Sequence, residues 1–92
     1  MEYEWDSDKD ASNLQKHGLS LSDGVPALED PYQTSWIDER YDYGEVRVIT
    51  VGMSLTGVLY VVSTDVRDNL IRLISVRRAE RHEQEIYDSS CA

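Results

Sequence analysis

The fold of this chain is decided by residues 45–76, which read EVRVITVGMSLTGVLYVVSTDVRDNLIRLISV. In residues 46–51 the set Val46, Val48, Thr50 alternates with the set Arg47, Ile49, Val51, as on the two faces of a strand. Residues 58–64 form a near-continuous apolar run, and residues 70–76 are again strand-like. Two turn-like segments, residues 55–57 and 65–69, separate these runs. Because a period of two with short turns is typical of antiparallel strands, the pattern predicts a β-meander with a central middle strand.

The segments on either side of this meander predict further strands and helices. Before it we expect a strand at residues 2–5, a helix over 9–17 that ends at Gly18, a short helix from Ser20 or Ser22 to Leu28, a strand over 32–41 and a turn at 42–44. After it, residues 79–87 show helical spacing. The order predicts an α+β domain with a mainly antiparallel sheet of four or five strands, two N-terminal helices and one C-terminal helix, all packed on one face.

Length and composition limit the class of protein. A chain of 92 residues makes one domain, residues 1–92, so any site is a surface cleft or an interface. Cys91 cannot form an internal disulfide, and no signal peptide or run of roughly 20 apolar residues is visible, which favours a cytoplasmic protein without a membrane span. His17 and His82 are far apart and there is no glycine-rich phosphate loop, so we expect neither a metal nor a cofactor.

The charge is divided unevenly along the chain. The formal net charge is -9, and residues 1–45 hold 12 of the 18 acidic residues but only three of the nine basic ones. The rest of the chain is balanced, with five basic residues gathered between Arg67 and Arg81. The first half therefore favours a basic partner, whereas the second half can still hold a phosphate locally.

Arginine suits a phosphate because its planar fork can hold two phosphate oxygens and keeps its charge at every accessible pH. Arg47, Arg72, Arg77 and Arg78 are therefore the first candidates for phosphate ligands. The alternative is that these arginines are solvated and pair with neighbouring carboxylates.

Two further side chains are candidates for proton transfer. His17 suits the role of an acid or base, although a histidine just before Gly18 is also ordinary at a helix C-terminus. Glu83 is either a base or an ion-pair partner of the arginines around it. We interpret Trp5 and Trp36 as core residues rather than as platforms for nucleobases.

Three motifs give the chain a resemblance to a known family. They are W-D-x-x-K-x-x-x-N-x-x-K-H-G at residues 5–18, E-x-R at 45–47 and I-S-x-R-x-A-x-x-x-E-x-x-x-Y at 74–87. In this order and spacing they resemble the BrnT family of type II toxin–antitoxin toxins, over nearly the whole chain from Tyr3 to Tyr87. The resemblance implies a RelE-like ribonuclease fold.

The resemblance also implies an activity and a partner. The activity is metal-independent RNA cleavage that inhibits translation, and the partner is a BrnA-like ribbon-helix-helix antitoxin through which the pair binds operator DNA. At residues 63–69 this chain lacks some of the positive charge usual for the family. The alternatives that stay open are a catalytically silent binding module of the same fold and an acidic domain that docks a basic protein.

These considerations together select the candidate site residues. The predicted catalytic residues are His17, Arg47, Arg72, Arg77 and Glu83, and the predicted RNA-binding residues are Lys16, Arg67, Arg78 and Arg81. We expect Arg47, Arg72 and Arg77 to converge on one face, with His17 or Glu83 nearby. Such a group of cations around a scissile phosphate, with one proton donor or acceptor, is what metal-free RNA cleavage requires.

Overall fold

The structure, a computed structural model, describes residues 1–40 and 42–91. Its elements in chain order are β1 (Glu2–Glu4), α1 (Ser7–His17), a 3-10 turn (Leu21–Gly24), α2 (Val25–Glu29), β2 (Thr34–Ile37), β3 (Val48–Ser54), β4 (Gly57–Arg67), β5 (Leu70–Arg78) and α3 (Arg81–Cys91). None of these helices is long and apolar enough to cross a membrane. The predicted α+β class and the predicted order of elements are confirmed.

One five-stranded sheet carries the whole domain. Its strand order is β1-β5-β4-β3-β2, so the most apolar strand, β4, is central. The pairs β2–β3, β3–β4 and β4–β5 are antiparallel, and β1 alone is parallel to its neighbour β5. The meander predicted from residues 45–76 is therefore the core of the sheet, and the N-terminal strand closes one edge of it.

The alternation of β4 divides the core between the two faces of the sheet. Leu59 and Val61 pack with Leu21 and Ala27 of the first helical segments, whereas Tyr60 and Val62 belong to the cluster that contains Tyr87 of α3. Side chains that alternate along one strand point to opposite faces. The expectation that all helices lie on one face was therefore wrong, because α3 covers the face opposite to α2.

A buried asparagine connects α1 to the unpaired part of β5. The Asn13 carboxamide donates to the Val76 and Leu19 carbonyls, both at 2.8 Å, and its oxygen accepts from the Val76 N–H at 3.0 Å. Since β1 pairs only with residues 70–72, the side chain of Asn13 replaces a neighbouring strand at Val76. It thereby satisfies backbone groups that would otherwise be buried without partners.

Asp30, just after α2, connects α2, β3 and α3. Its carboxylate accepts hydrogen bonds from the Tyr87 hydroxyl and from the Met53 and Tyr32 N–H groups. Burial raises the pKa of Asp30, but these hydrogen bonds outweigh it and the net pKa is lowered. The hydrogen bond between Tyr87 and Asp30, more than burial, raises the pKa of the Tyr87 hydroxyl. The hydroxyl thus holds α3 on the sheet, in line with the family motif that ends at Tyr87.

Several element boundaries differ from the prediction for local reasons. The strand predicted over 32–41 ends at Ile37. After Ile37 the Asp38 carboxylate accepts a hydrogen bond from the Arg40 N–H at 3.1 Å, which turns the chain. Residue 41, the last of the predicted strand, lies outside the described residues. The turn expected at 65–69 is reduced to two residues, with Asn69 in the left-handed region at φ 65°. Helix α3 begins at Arg81 rather than 79, since the Ala79 N–H still donates to the Val58 carbonyl.

Candidate functional site

An open cleft lies between the end of β2, the central strands and the start of α3. Its volume is about 580 Å³. On the face covered by α3, Tyr60 and Ile49 form the floor, and the two walls come from residues 36–40 and from the first turns of α3. The lining side chains are Trp36, Ile37, Asp38, Glu39, Arg40, Ile49, Tyr60, Arg77, Glu80, His82, Glu83 and Ile86.

Arg77 is the best-anchored cation of this cleft. Its two terminal nitrogens each donate to one oxygen of Glu83 at 2.8 Å, and the guanidinium carbon lies 3.8 Å from the centroid of the Tyr60 ring. The hydrogen bonds to Glu83 raise the pKa of Arg77, against a smaller opposing effect of burial. Because the side chain remains 27% exposed, a fixed and permanently charged guanidinium faces the cleft.

Glu83 is fully occupied by structural hydrogen bonds. Besides the two bonds from Arg77, its carboxylate accepts the Glu80 N–H at 2.8 Å, in the manner of a capping box at the start of α3. Burial raises the pKa of Glu83, but the bonds from Arg77 and Glu80 outweigh it, and the net pKa is lowered. A carboxylate with a lowered pKa is a weak base, so the geometry favours the ion-pair role of Glu83 over a proton-accepting one.

A second arginine, Arg40, is anchored on the opposite wall. Its guanidinium makes two hydrogen bonds to Asp38, at 2.9 and 3.0 Å, and the Tyr43 hydroxyl donates to the same carboxylate at 3.0 Å. The Asp38 side chain is 1% exposed, whereas that of Arg40 is 59% exposed. Hydrogen bonds from Arg40 are the largest cause of the strongly lowered pKa of Asp38, and the same bonds raise the pKa of Arg40.

Tyr60 lies between the two arginines. It is on β4, between β5, which carries Arg77, and β2, which Arg40 follows. Its ring centroid lies 3.8 Å from the guanidinium carbon of Arg77, and it forms part of the floor of the cleft that Arg40 also lines.

The rim of the cleft is apolar. Trp36, Ile37 and Ile86 are 37%, 57% and 38% exposed. Trp36 pairs with Ile49 across β2 and β3, which directs it to the same sheet face as the cleft. The interpretation of Trp36 as a core residue was therefore wrong, and Trp5 is also 38% exposed. Both indoles reach solvent because they lie near the edges of a small sheet that cannot cover them.

The cleft is negatively charged despite its arginines. Among the described residues that line it, the four carboxylates are Asp38, Glu39, Glu80 and Glu83, against the two guanidinium groups of Arg40 and Arg77, which leaves a formal charge of -2 with neutral His82. Asp38 pairs with Arg40 and buried Glu83 pairs with Arg77, while the exposed Glu80 lies 3.5 Å from Arg77 as a weaker partner. The excess negative charge is therefore carried by the exposed Glu39 and Glu80.

The predicted catalytic residues are only partly brought together. Arg77 and Glu83 are in direct contact in the cleft. Arg47 lies beside it, with its guanidinium 3.9 Å from the centroid of the Tyr43 ring and 3.3 Å from Glu45. A β-bulge at Ile74 interrupts the alternation of β5, so Arg72 is on the same sheet face as Arg77, at a separation of four residues on the neighbouring β4, which is about 13 Å. It pairs with Glu4 of β1 at 2.6 Å. The three arginines therefore share one sheet face, and Glu83 lies beside Arg77 as expected, but Arg72 is held by Glu4 away from the Arg77–Glu83 pair.

His17 lies in a different place from the cleft. It lines a small hollow beside β5 together with Lys9, Ser12, Asn13, Lys16, Ile74 and Ser75. Helix α1 ends there because Gly18 adopts the left-handed conformation, with φ 70°. Of the two candidates expected near the arginines, Glu83 lies beside Arg77, whereas His17 lines this hollow and not the cleft, since Asn13 anchors α1 at the edge of β5.

The other predicted RNA-binding residues surround the domain rather than the cleft. Lys16 borders the hollow of His17, and Arg67 is exposed at the end of β4. Arg78 pairs with Leu59 in the sheet register and so faces the side covered by α2, opposite to Arg77. Arg81 is 95% exposed and lies 3.7 Å from Glu85 on α3. None of the four lines the cleft, as far as the described residues extend.

Sequence reasoning missed four cleft residues, Asp38, Arg40, Tyr60 and His82. An aspartate two residues before an arginine was a weak signal for the Asp38–Arg40 pair. Tyr60 was hidden in an apolar run, although it is the single aromatic residue in 58–64. His82, 70% exposed, lies 3.8 Å from Glu83. In the part of the chain that is described, no group of three or more histidine, cysteine or carboxylate side chains is placed to hold a metal ion.

Fold and site together define a small α+β protein with two anchored arginines in a cleft on one face of a mixed sheet. A family model described as "Ribonuclease toxin, BrnT, of type II toxin-antitoxin system" matches residues 5–83. The chain therefore belongs to the BrnT family of ribonuclease toxins, as its motifs indicated. Membership of a type II toxin–antitoxin family implies an antitoxin partner.

A solved structure supports the fold independently. The chain is similar to the Brucella abortus ribonuclease toxin BrnT, solved at 1.1 Å resolution, with a TM-score of 0.65 and 23% sequence identity. The similarity covers 88% of this chain and 99% of the Brucella chain. A comparison with curated protein sequences gives no match. At this level of identity the similarity establishes a shared fold, and the assignment of individual residues rests on the geometry of the cleft.

Proposed function

We propose that this protein is a metal-independent endoribonuclease that inhibits translation, and that the cleft around Arg77 is its RNA site. The observation that carries the proposal is the anchoring of Arg77, which donates two hydrogen bonds to the buried Glu83 and is stacked on Tyr60. Such a fixed cation stabilises developing negative charge without reorganising during the reaction. The cleft is open enough for a single RNA strand.

The proposed reaction uses the nucleophile that RNA itself supplies. The ribose 2′-oxygen attacks the adjacent phosphorus as its proton leaves, the bond from phosphorus to the 5′-oxygen breaks, and that oxygen takes up a proton. The products are a 2′,3′-cyclic phosphate and a 5′-hydroxyl. Arg77 binds the oxygens of the pentacoordinate phosphorus, Glu83 positions Arg77, and His82 carries one of the two protons, since histidine is the usual proton carrier at neutral pH.

We also propose that the antitoxin is BrnA-like, with a ribbon-helix-helix part, and that it covers this cleft. The apolar side chains on the rim, Trp36, Ile37 and Ile86, offer anchors of the kind that supply most of the affinity in protein interfaces. The net charge of -9 would speed the approach of a basic antitoxin. In this proposal the toxin reaches operator DNA only through the antitoxin and acts in the cytoplasm, where its RNA substrate lies.

A cleavage assay in the absence of metal ions tests the proposed function. We expect the purified protein to cut a single-stranded RNA in excess EDTA and to leave 2′,3′-cyclic phosphate ends, because each proposed step uses only side chains and the ribose. The products are identified by mass spectrometry, with the same sequence in DNA as the control that lacks a nucleophile. Cleavage that requires added Mg²⁺ would contradict the metal-independent reaction.

The charge of the cleft supports one alternative, a catalytically silent BrnT-like module that only binds its antitoxin. A surface with a formal charge of -2 repels the RNA backbone. The apolar side chains on the rim suit contact with a protein better than contact with RNA. If the unmodified chain neither cuts RNA nor inhibits growth, yet binds the protein encoded beside it tightly, this alternative replaces the enzyme.

Removal of the two exposed carboxylates of the cleft is expected to strengthen RNA binding. Each exposed charge contributes roughly 0.5 kcal/mol, so the double variant Glu39→Gln, Glu80→Gln should bind a short RNA about fivefold more tightly. Fluorescence anisotropy with a labelled oligonucleotide measures the change. The matched control is Glu2→Gln, Asp8→Asn, which removes the same charge from β1 and α1, outside the cleft. Equal gains in both double variants would show that RNA does not bind in the cleft.

A further inference from the structure

We propose that Arg40 is the second phosphate-binding arginine of the cleft, that buried Asp38 positions it, and that Trp36 stacks on a base of the same RNA strand. This inference rests on the proposed function, since it adds a subsite to the site of Arg77. The ligand is a single-stranded RNA segment whose backbone crosses the cleft from Arg77 to Arg40 and whose base lies against the edge strand β2.

The first step of the argument is the contrast in burial between Asp38 and Arg40. A carboxylate that is 1% exposed is costly to bury and needs partners, and here they are the Arg40 N–H, the Arg40 guanidinium and the Tyr43 hydroxyl. The Arg40 side chain is 59% exposed and lines the cleft. The buried partner therefore fixes the orientation of a solvent-facing cation, as Glu83 does for Arg77 on the opposite wall.

The second step is that this arrangement is built into the backbone. The Asp38 N–H donates to the Arg47 carbonyl at 2.8 Å, which continues the β2–β3 ladder by one bond beyond Ile37. Asp38 thus leaves the sheet from a fixed position, and its carboxylate fixes Arg40 two residues later. Groups held in this way lose little freedom when a ligand arrives, which is the condition for an effective phosphate clamp.

The third step concerns the base. Trp36 is on the edge strand β2, points to the sheet face of the cleft and is 37% exposed. An indole beside an anchored arginine is the combination that single-strand binding proteins use, because every base offers a flat face for stacking. One such stacking contact corresponds to roughly tenfold in affinity. The cleft therefore combines two cations for the backbone with one aromatic platform for a base.

The test is the binding of a fluorescein-labelled 2′-O-methyl oligoribonucleotide, which cannot be cut because its nucleophile is blocked. Anisotropy is measured over a range of salt concentrations. We expect Arg40→Ala to weaken binding about tenfold and to lower the slope of log affinity against log salt by about 0.7, the value for one lost contact to a single-strand phosphate. The charge-matched control is Lys9→Ala, which removes an exposed cation of α1 outside the cleft and should change the slope less.

Asp38→Asn separates positioning from simple electrostatics by the sign of its effect. Loss of a negative charge strengthens RNA binding if only the net charge matters, whereas loss of positioning weakens it. We expect Asp38→Asn to bind RNA more weakly. The double variant Asp38→Asn, Arg40→Gln should be weakened to the same degree. It keeps a neutral hydrogen-bonded pair and replaces Arg40→Ala if that variant does not fold. In a Trp5→Phe background, Trp36 is the remaining one of two tryptophans, and its fluorescence should be quenched by the oligonucleotide.

The outcomes distinguish this inference from the proposed function. Suppose that the unmodified protein binds the oligonucleotide and that Arg40→Ala has the same affinity and salt slope as Lys9→Ala. Arg40 is then not a ligand and the inference is overturned. If Arg40→Ala does not fold, the double variant takes its place in this comparison. Tighter binding by Asp38→Asn overturns the positioning role. If the unmodified protein binds but does not cut ordinary RNA, the proposed enzyme fails and the subsite stands or falls on the binding data. A protein that does not bind the oligonucleotide overturns both.

Discussion

Replacement of Arg77 by alanine is expected to reduce RNA cleavage by about 10²–10³-fold, the usual cost of removing one fixed group that stabilises charge in the transition state. Growth inhibition on induced expression should disappear with it. The reason is that Arg77 is the one cation of the cleft that is both stacked on Tyr60 and bound at two points by Glu83. The measurement is the initial rate of cleavage of a single-stranded RNA, alongside growth curves.

This experiment needs a control for folding, because Arg77→Ala leaves the carboxylate of Glu83 buried without its partner. Loss of one member of a buried pair costs about 3–5 kcal/mol of stability, somewhat less here because Arg77 is 27% exposed. The double variant Arg77→Gln, Glu83→Gln keeps a neutral hydrogen-bonded pair and should fold but not cleave. Cleavage within tenfold of the unmodified rate in a folded double variant would remove Arg77 from the reaction.

The sheet was predictable from the sequence because each of its signals is local. The period of two along β3 and β5, the apolar run of β4 and the intervening turns are determined by neighbouring residues, and the strands formed where those signals lie. The face that each helix covers is not a local property. The amphipathic pattern of α3 shows that it is buried on one side, but Tyr87 and Asp30, 57 residues apart, decide which side of the sheet that is.

In the candidate site, too, a contact between residues close in sequence was predictable, whereas contacts between residues distant in sequence were not. The Arg77–Glu83 pair spans six residues across the junction of β5 and α3, so a local pattern of alternating charges suggested it. The position of Arg40 opposite Arg77 depends on the strand order, which places two strands, β4 and β3, between β5 and β2, with Tyr60 on β4. His17 was misplaced because its residue type suits proton transfer, whereas its location is determined by the anchoring of α1 through Asn13.

The same anchoring leads to a large expected effect on stability. Asn13→Ala removes three hydrogen bonds and leaves the Val76 N–H and the carbonyls of Val76 and Leu19 without their side-chain partner in a buried place. A buried group left unsatisfied costs about 1–3 kcal/mol. We expect a loss of about 3 kcal/mol in the free energy of unfolding, a large part of the roughly 5–15 kcal/mol that stabilises a typical domain. Urea denaturation followed by circular dichroism measures it.

Two further variants identify the cause of that loss. Ser12→Ala, at the exposed neighbouring position of α1, should change the unfolding free energy by less than about 0.5 kcal/mol. Asn13→Asp keeps the volume but loses both donated bonds and turns a carboxylate toward two carbonyls, so it should destabilise at least as much as Asn13→Ala. If Asn13→Asp is instead as stable as the unmodified protein, the packing of the side chain rather than its hydrogen bonds holds α1 at the edge of β5.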